Sequence, residues 1–193
     1  MLDLSAAFDT IDHDRLLTRM EYELGISGLP LIWFRSYLSV RIQCVQIEGS
    51  CSPPTVMHWA VPQGSILGPI LFLIYMLPLG SIVRKHGLEL HIYAHDTQIY
   101  VSVNPVTQRA VNDVVCKIQQ CMVEVQQLMT ENMLKLNAEK TEVKIFGSVA
   151  QLAKFSLDKI TIGNATVCLQ KEAVCNLGVI LDTSLSQLFI KNM

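Results

Sequence analysis

Apolar residues recur along this chain with two periods, and each period predicts one kind of element. The clearest helical period runs from Val106 to Met133, where apolar positions return at steps of three and four residues. These positions are Ala110, Val111, Val114, Ile118, Cys121, Met122, Val125, Leu128 and Met129. We interpret the stripe as the buried face of one long helix and not as a cofactor-binding motif.

Three shorter helices are predicted before it. Asp12 can cap a helix that ends at Gly25, and a second helix is predicted from Ser27 to Leu38, with Pro30 near its first turn. The apolar face of the first helix is predicted to comprise Leu16, Leu17, Met20 and Leu24. The apolar run from Ile66 to Leu79 is shorter than the ~20 residues needed to cross a bilayer, so we predict one buried helix there.

Strand-like patterns alternate with these helices. The stretch from Leu90 to Val101 predicts a β-hairpin, with apolar and β-branched runs on both sides of a polar turn at His95, Asp96 and Thr97. Further strands are predicted at Arg41 to Glu48, Thr55 to Val61, Glu142 to Phe146 and Asn176 to Leu181, and a hairpin at Ile160 to Leu169 turning at Gly163 and Asn164. No element is predicted from Leu185 to Met193. The pattern as a whole is that of an α+β fold.

Composition narrows the class of protein further. Half of the 193 residues are hydrophobic and 17% are charged, which excludes a disordered chain. The net charge of −2 is unfavourable for a protein that binds nucleic acid by itself, because contacts of basic residues with phosphates normally supply most of the sequence-independent affinity. Six cysteines without a C-x-x-C pair indicate free thiols in a reducing compartment, and nothing at the N-terminus resembles a signal peptide. We therefore expect an intracellular protein, with nucleus and cytoplasm both open.

Two aspartates are the first candidates for chemistry. Asp96 in the predicted hairpin stands on rigid strands, which suits a metal ligand, but a hard cation such as Mg²⁺ needs a second oxygen donor from elsewhere in the fold. The best candidate for that donor is Asp3, in the stretch from Leu2 to Asp9.

An ordered set of motifs resembles the reverse transcriptases of non-LTR retrotransposons of the jockey-like kind. The segment 3–9 (DLSAAFD) is similar to the first catalytic motif of that family, and 61–69 (VPQGSILGP) to its nucleotide-facing loop and helix. The segment 93–96 (YAHD) stands where the family has Tyr-Ala-Asp-Asp. Two segments resemble the helix that follows the first motif of the family, namely 25–27 (GIS) and 33–38 (WFRSYL). Three later segments resemble its last palm motifs, namely 134–137 (LKLN), 140–142 (KTE) and 176–179 (NLGV).

The resemblance implies a fold and a domain organisation. It implies a polymerase palm-like antiparallel sheet packed on helices, with partial fingers and no thumb. Residues 1–193 would form a partial reverse transcriptase domain, with a palm core at roughly 1–146 and a C-terminal palm hairpin and strand at roughly 155–182. Because Asp3 follows Met1 so closely, we expect little strand before it and a poorly fixed carboxylate. We also expect weak grip on template and primer, because no fingers segment precedes Asp3 and no thumb follows.

The resemblance also implies two-metal nucleotidyl transfer to a primer 3′-hydroxyl. Asp3 and Asp96 would hold two Mg²⁺ about 3.5–4 Å apart, with His95 in the third catalytic position. Phe8 would lie under the sugar and favour deoxynucleotides, Gln63 and Gly64 would border nucleotide and template, and Lys140 would lie near the triphosphate as a charge partner or proton donor. The partners implied are an RNA template, a DNA primer and deoxynucleoside triphosphates, with no membrane and no protein partner.

Several of these residues have a purely structural alternative. Asp9, Asp12 and Asp14 flank a helix start, where capping and the helix dipole explain an acid without catalysis. Phe8 can be a core residue and Gly64 can end a strand. Lys140, in a polar run, can be a solvated charge.

His95 is the main departure from the family, which has an aspartate at that position. Imidazole suits Zn²⁺ or Cu²⁺, whereas carboxylate suits Mg²⁺ and Mn²⁺. A misplaced metal would cost roughly 3–5 kcal/mol of transition-state stabilisation, or ~10²–10⁴ in rate. The sequence thus predicts an RNA-directed DNA polymerase domain that is impaired, with a non-catalytic remnant of a retrotransposon reverse transcriptase as the alternative. An independent RNA-binding module ranks third, because the charge balance disfavours it.

Overall fold

A computed structural model describes most of the chain as helices and small sheets. The described residues are 2–5, 7–39, 41–62, 64–93, 96–103, 107–137, 140–153, 158–162, 165–169, 174–176, 179–183 and 188–190. The helices are α1 (His13–Tyr22), α2 (Leu29–Leu38), α3 (Gly68–Tyr75), α4 (Leu77–Lys85), α5 (Gln108–Glu131) and α6 (Val149–Leu152). The strands are β1 (Leu4–Ser5), β2 (Arg41–Gln43), β3 (Gln46–Ile47), β4 (Ser50–Cys51), β5 (Thr55–Met57), β6 (Glu89–Tyr93), β7 (Asp96–Tyr100), β8 (Lys135–Leu136), β9 (Lys159–Ile162), β10 (Ala165–Cys168), β11 (Val174–Asn176), β12 (Val179–Leu181) and β13 (Leu188–Ile190). The predicted α+β composition is confirmed at this level.

Three pairings assemble the sheet that matters for function. β6 and β7 form an antiparallel hairpin in which Tyr93 lies opposite Asp96. Leu2 bridges to Thr97 on the other edge of β7, and β1 pairs with β8. The N-terminal segment 2–5 therefore lies between β7 and β8.

The hairpin prediction is confirmed, but its turn is shorter than predicted. Asp96 and Thr97 belong to strand β7, because the pairing of Tyr93 with Asp96 leaves only two residues for the connection. His95, the first residue of the predicted turn, lies outside the described residues.

Helix α1 begins where the sequence predicts. The Asp12 side chain accepts a hydrogen bond from the Arg15 N–H at 2.8 Å, and Leu16, Leu17 and Met20 are buried as predicted. The helix ends at Tyr22, before Leu24 can join the buried face. The prediction for Leu24 was therefore wrong, and its side chain is 45% exposed.

Replacing Asp12 by alanine is expected to lower the free energy of unfolding by about 1 kcal/mol, because the Arg15 N–H loses its partner. Urea unfolding followed by circular dichroism measures the change. Asp12→Asn is the matched control, since an amide oxygen caps a helix about as well and the loss should then be small.

The apolar run from Ile66 to Leu79 was predicted as one helix and forms parts of two. α3 and α4 are bent by 41° at Met76. Pro78 lies in the first turn of α4 and has no N–H to continue the hydrogen bonding of α3, which is why the helix breaks there. No single helix in the described part of the chain is long and apolar enough to cross a membrane, although this bent pair together meets the length and composition of a span.

Helix α5 confirms the long amphipathic prediction. Val111, Cys121, Met122, Val125 and Met129 are buried along one stripe, and the Thr107 side chain caps the first turn. Burial raises the pKa of the Cys121 thiol to about 11, which keeps it a neutral core side chain. α5 packs against α4 and against strand β9.

The core joins α1, α3, α4, α5 and the inner face of the central sheet. Its largest fully buried side chains include Phe72 and Tyr75 of α3, and Ile11 just before α1. One cluster of buried residues contains both Leu2 and Val167, so the N-terminal segment and the β9–β10 hairpin share the same hydrophobic core.

Other strand predictions were partly wrong. The residues predicted as one strand from Arg41 to Glu48 form β2 and β3, and the one predicted from Thr55 to Val61 is limited to β5. Residues 142–146 form no regular strand with the described part of the chain, where Val143 makes an isolated bridge to Leu169. β11 and β12 form a hairpin where a single strand was predicted, and β13 lies within the C-terminal stretch for which no element was predicted. The β9–β10 hairpin is confirmed, with its predicted turn outside the described residues.

Candidate functional site

The register of the central sheet sets Asp3 directly opposite Asp96. The Leu2 N–H donates to the Thr97 carbonyl at 2.7 Å, and the Thr97 N–H donates to the Leu2 carbonyl at 3.3 Å. The next pair in this antiparallel register is Asp3 with Asp96. Directly opposed residues have Cβ atoms about 4.5–5.5 Å apart and point to the same face of the sheet. Two acids separated by more than ninety positions in the sequence thus become neighbours.

These acids lie on the outer face of the sheet, opposite the core. In β6 the exposed residues alternate with half-buried ones, and Tyr93, the partner of Asp96, is 63% exposed. On the other side of Asp3, the Asn137 N–H donates to the Asp3 carbonyl at 2.9 Å. Tyr93, Asp96, Asp3 and Asn137 therefore form one row across four adjacent segments. We call this row the acidic row.

Lys140 is the cation that the structure brings to this row. Its Nζ lies 3.9 Å from the Asp3 Oδ2 atom, and its side chain is 71% exposed whereas that of Asp3 is 18% exposed. An ion pair with one exposed partner is screened by water and contributes little to stability. The pair therefore leaves the ammonium free to turn toward an anion above the sheet.

Phe8 packs against α3 and the loop before it. Its ring is half-buried, with its centroid 5.2 Å from that of Phe72, and its carbonyl accepts from the Val61 N–H at 2.8 Å. A side chain added at Gly68 would meet the Phe8 ring at 3.8 Å. Phe8 therefore has the packing role that was its structural alternative, and the same contacts hold the 61–68 loop against it.

Gly64 lies at the exposed tip of that loop. Its φ of +79° is a left-handed conformation that glycine adopts without strain, and nothing lies within 4 Å of the position that a Cβ would occupy. The Ser65 side chain caps the following turn by accepting from the Gly68 N–H at 3.0 Å. Gly64 therefore forms an open turn and does not end a strand. Gln63, the other predicted residue of this loop, lies outside the described residues.

A buried polar network that the sequence patterns missed lies at the end of α5, just before β8. Tyr75 donates its hydroxyl hydrogen to the Asn132 carbonyl at 3.1 Å, and Arg19 donates to the Asn132 Oδ1 atom at 2.5 Å. Burial lowers the pKa of Arg19 and raises that of Tyr75. Asn132 ends α5 three residues before β8, so the network fixes the strand that flanks Asp3. No periodicity or motif signals it, because its three members come from three separate helical regions.

The donors of the acidic row fit a hard divalent cation. Mg²⁺ is commonly held by one or two carboxylates together with substrate phosphates, and Asp3 and Asp96 supply two carboxylates on one face. Among the residues that the structure describes, no cluster of three or more His, Cys, Asp or Glu side chains could hold a metal by itself. The row therefore fits a metal that arrives with a phosphate-bearing substrate better than a closed structural site.

Comparison with known proteins agrees with this arrangement. Residues 1–181 match the family model described as reverse transcriptase (RNA-dependent DNA polymerase). The chain is also similar to the probable RNA-directed DNA polymerase from transposon BS of Drosophila melanogaster, with 28% identity over 145 residues. That alignment covers 72% of this chain and 15% of the relative, so the chain spans only a small part of the relative's length. The chain belongs to the reverse transcriptase family, as a domain of the kind that retrotransposons encode.

Proposed function

We propose that the acidic row is the catalytic face of an RNA-directed DNA polymerase palm, within a partial domain that spans residues 1–193. The reaction is transfer of a deoxynucleotide to the 3′-hydroxyl of a DNA primer on an RNA template. The observation that carries the proposal is the Leu2–Thr97 bridge, whose register sets the Asp3 and Asp96 carboxylates opposite each other. A pair of carboxylates on rigid strands is what a phosphate-bound metal requires.

Asp3 and Asp96 would hold the metal ions of this reaction. Reverse transcriptases generally use divalent metal ions, and Mg²⁺ matches oxygen donors. When bound, a pair of such ions activates the attacking hydroxyl and neutralises the departing pyrophosphate. The protein contributes by keeping both carboxylates on one face: the Asp3 carbonyl accepts from the Asn137 N–H, the neighbouring Leu2 is hydrogen-bonded to Thr97, and Asp96 is paired with Tyr93 in the hairpin.

Three further residues would position the nucleotide. Phe8, which packs against the 61–68 loop, would lie beneath the sugar, where its ring would leave little room for a 2′-hydroxyl. Gly64 would let the loop backbone approach the template and nucleotide closely, because a glycine presents no Cβ. Lys140, exposed and 3.9 Å from the Asp3 carboxylate, would reach a triphosphate oxygen as charge partner or proton donor.

His95 would impair this reaction. The residue immediately before Asp96 is an imidazole where the family motif has a carboxylate, so the row lacks one negative charge that favours dications. This residue supports the second candidate function, a folded reverse transcriptase remnant without polymerase activity.

The test is primer extension on an RNA template by the His95→Asp chain and by three variants made in it. Asp3→Asn and Asp96→Asn are expected to abolish extension, because an amide does not supply the anionic ligand. Asp113→Asn, which removes an exposed acid from α5, is the matched control and should extend primers as well as its parent. Extension that survives Asp96→Asn would contradict the proposed role of the acidic row.

A further inference from the structure

Two cysteines lie close together in the short hairpin formed by β3 and β4. Cys44 stands two residues before β3 and Cys51 ends β4, and both are exposed and form no disulfide. Glu48 and Gly49 join the two strands with φ values of +48° and +85°, as a two-residue type I′ turn requires. A turn of this type fixes the register of its strands. We call Cys44 and Cys51 the thiol pair.

The register of this hairpin sets both cysteines on one face. Gln46 lies opposite Cys51, and the Ser52 N–H donates to the Val45 carbonyl at 2.9 Å, so the pairing continues one residue beyond the strands. Alternate residues of an extended chain point to the same face, which makes Cys44 the diagonal neighbour of Cys51. A side-chain hydrogen bond joins the two thiols. The register and this bond together bring two solvent-accessible sulfur atoms into contact.

The spacing of the thiol pair favours a bridging metal ion over a disulfide. Diagonal positions of an antiparallel strand pair are about 7–8 Å apart. Two cysteines whose Cα atoms are more than about 7 Å apart cannot form a disulfide without movement of the backbone. A metal ion relaxes this limit, because two metal–sulfur bonds of about 2.3 Å, the length found for zinc, span up to about 4.6 Å between sulfur atoms, against about 2 Å in a disulfide.

We propose that the thiol pair binds a Cu(I) ion in two-coordinate geometry, between the sulfur atoms of Cys44 and Cys51. Thiolates are soft ligands, which select Cu(I), Zn²⁺ or iron–sulfur clusters. Structural zinc sites and iron–sulfur clusters require four protein ligands. Among the residues that the structure describes, no group of three or more His, Cys, Asp or Glu side chains could hold an ion. Cu(I), which has a filled d shell, is satisfied by two thiolates.

Binding exchanges the thiol protons for the ion. Two copper–sulfur bonds form, both thiol protons pass to solvent, and no electron is transferred. The product is an anionic bis-thiolate complex, which stays hydrated because both cysteines are exposed. The hairpin backbone already holds the second sulfur beside the first, so the second bond forms at a high effective concentration. The pair should therefore bind Cu(I) far more tightly than a single surface thiol.

The experiment titrates the reduced full chain, in the absence of oxygen, with Cu(I) held by the coloured chelator bicinchoninate. The chain is expected to withdraw the ion from the chelator. Cys44→Ser and Cys51→Ser are each expected to weaken binding at least about 100-fold, because the second sulfur ligand is lost. Cys44→Met should lose less than Cys44→Ser, since a thioether is also a soft ligand. Cys116→Ser, which removes an exposed thiol from α5, is the matched control and should leave the affinity unchanged.

Two outcomes would overturn the proposal. One is Cu(I) binding that neither serine variant weakens while circular dichroism shows each variant to be folded, since the ion is then held elsewhere. The other is ready formation of a disulfide between Cys44 and Cys51 by oxidised glutathione in copper-free buffer, detected as a linked peptide by mass spectrometry, which would assign the pair to thiol–disulfide exchange. Neither readout involves polymerase activity, so the proposal is tested apart from the proposed function.

Discussion

Replacing His95 by aspartate is expected to raise the rate of primer extension in Mg²⁺ by ~10²–10⁴, which corresponds to roughly 3–5 kcal/mol of transition-state stabilisation. The substitution adds a carboxylate next to Asp96, at the position where the family motif carries one. The unaltered chain is expected to show no extension above background in Mg²⁺. Extension of a labelled primer on an RNA template, followed in Mg²⁺ and in Mn²⁺, measures both rates.

His91→Asp is the matched control for this gain. His91 is an exposed residue of β6, paired with Gln98 one row away from Asp96 on the same face, so the control adds the same charge without placing it beside Asp96. No gain is expected from it. Robust extension by the unaltered chain would show that the imidazole is no obstacle, and a silent His95→Asp chain would identify the remnant function as the correct one for these 193 residues.

The second large effect is on stability, at Phe72. Its side chain is fully buried in α3 and lies against the Phe8 ring, so Phe72→Ala leaves a cavity between the core and the candidate nucleotide site. The expected loss is about 3–5 kcal/mol in the free energy of unfolding, a large part of the total for a domain of this size. Urea unfolding with an unchanged m value measures it.

Leu73→Ala is the control for Phe72→Ala. The next residue of the same helix is 38% exposed, so its truncation should cost no more than about 1 kcal/mol. Equal losses at the two positions would mean that helix propensity, and not core packing, dominates at α3.

The sequence predicted correctly those elements that are determined by residues close together in the chain. Asp12 accepts from a backbone N–H three residues away, and the α5 stripe needs only a helical period, so both were visible in the sequence. Leu24 had the right period, but its helix had already ended. Residues 142–146 have strand-forming side chains, yet a strand also requires a partner of matching register, which no local pattern supplies.

At the candidate site, too, the residues could be identified from the sequence but the contacts between distant residues could not. The motif resemblance identified Asp3, Asp96, Phe8, Gly64 and Lys140, and the structure brings the first two opposite each other and Lys140 beside Asp3. Their meeting depends on hydrogen bonds between Leu2 and Thr97, which periodicity cannot detect because the residues lie far apart in sequence. The Arg19, Tyr75 and Asn132 network escaped for the same reason.

The bridge of Leu2 to Thr97 and the pairing of Leu4 with Leu136 also determine when the acids meet during folding. Contacts so distant in sequence pay a large loop-closure entropy and form slowly, whereas the β6–β7 hairpin and α5 can form from neighbouring residues. On the ribosome, the segment that carries Asp3 emerges before β7 and β8, and both of its edges are covered only after residue 136 has been synthesised. Of the two acids, Asp3 is translated before Asp96 and yet takes its final place late, and Leu2 and Leu4 remain available to chaperones until then.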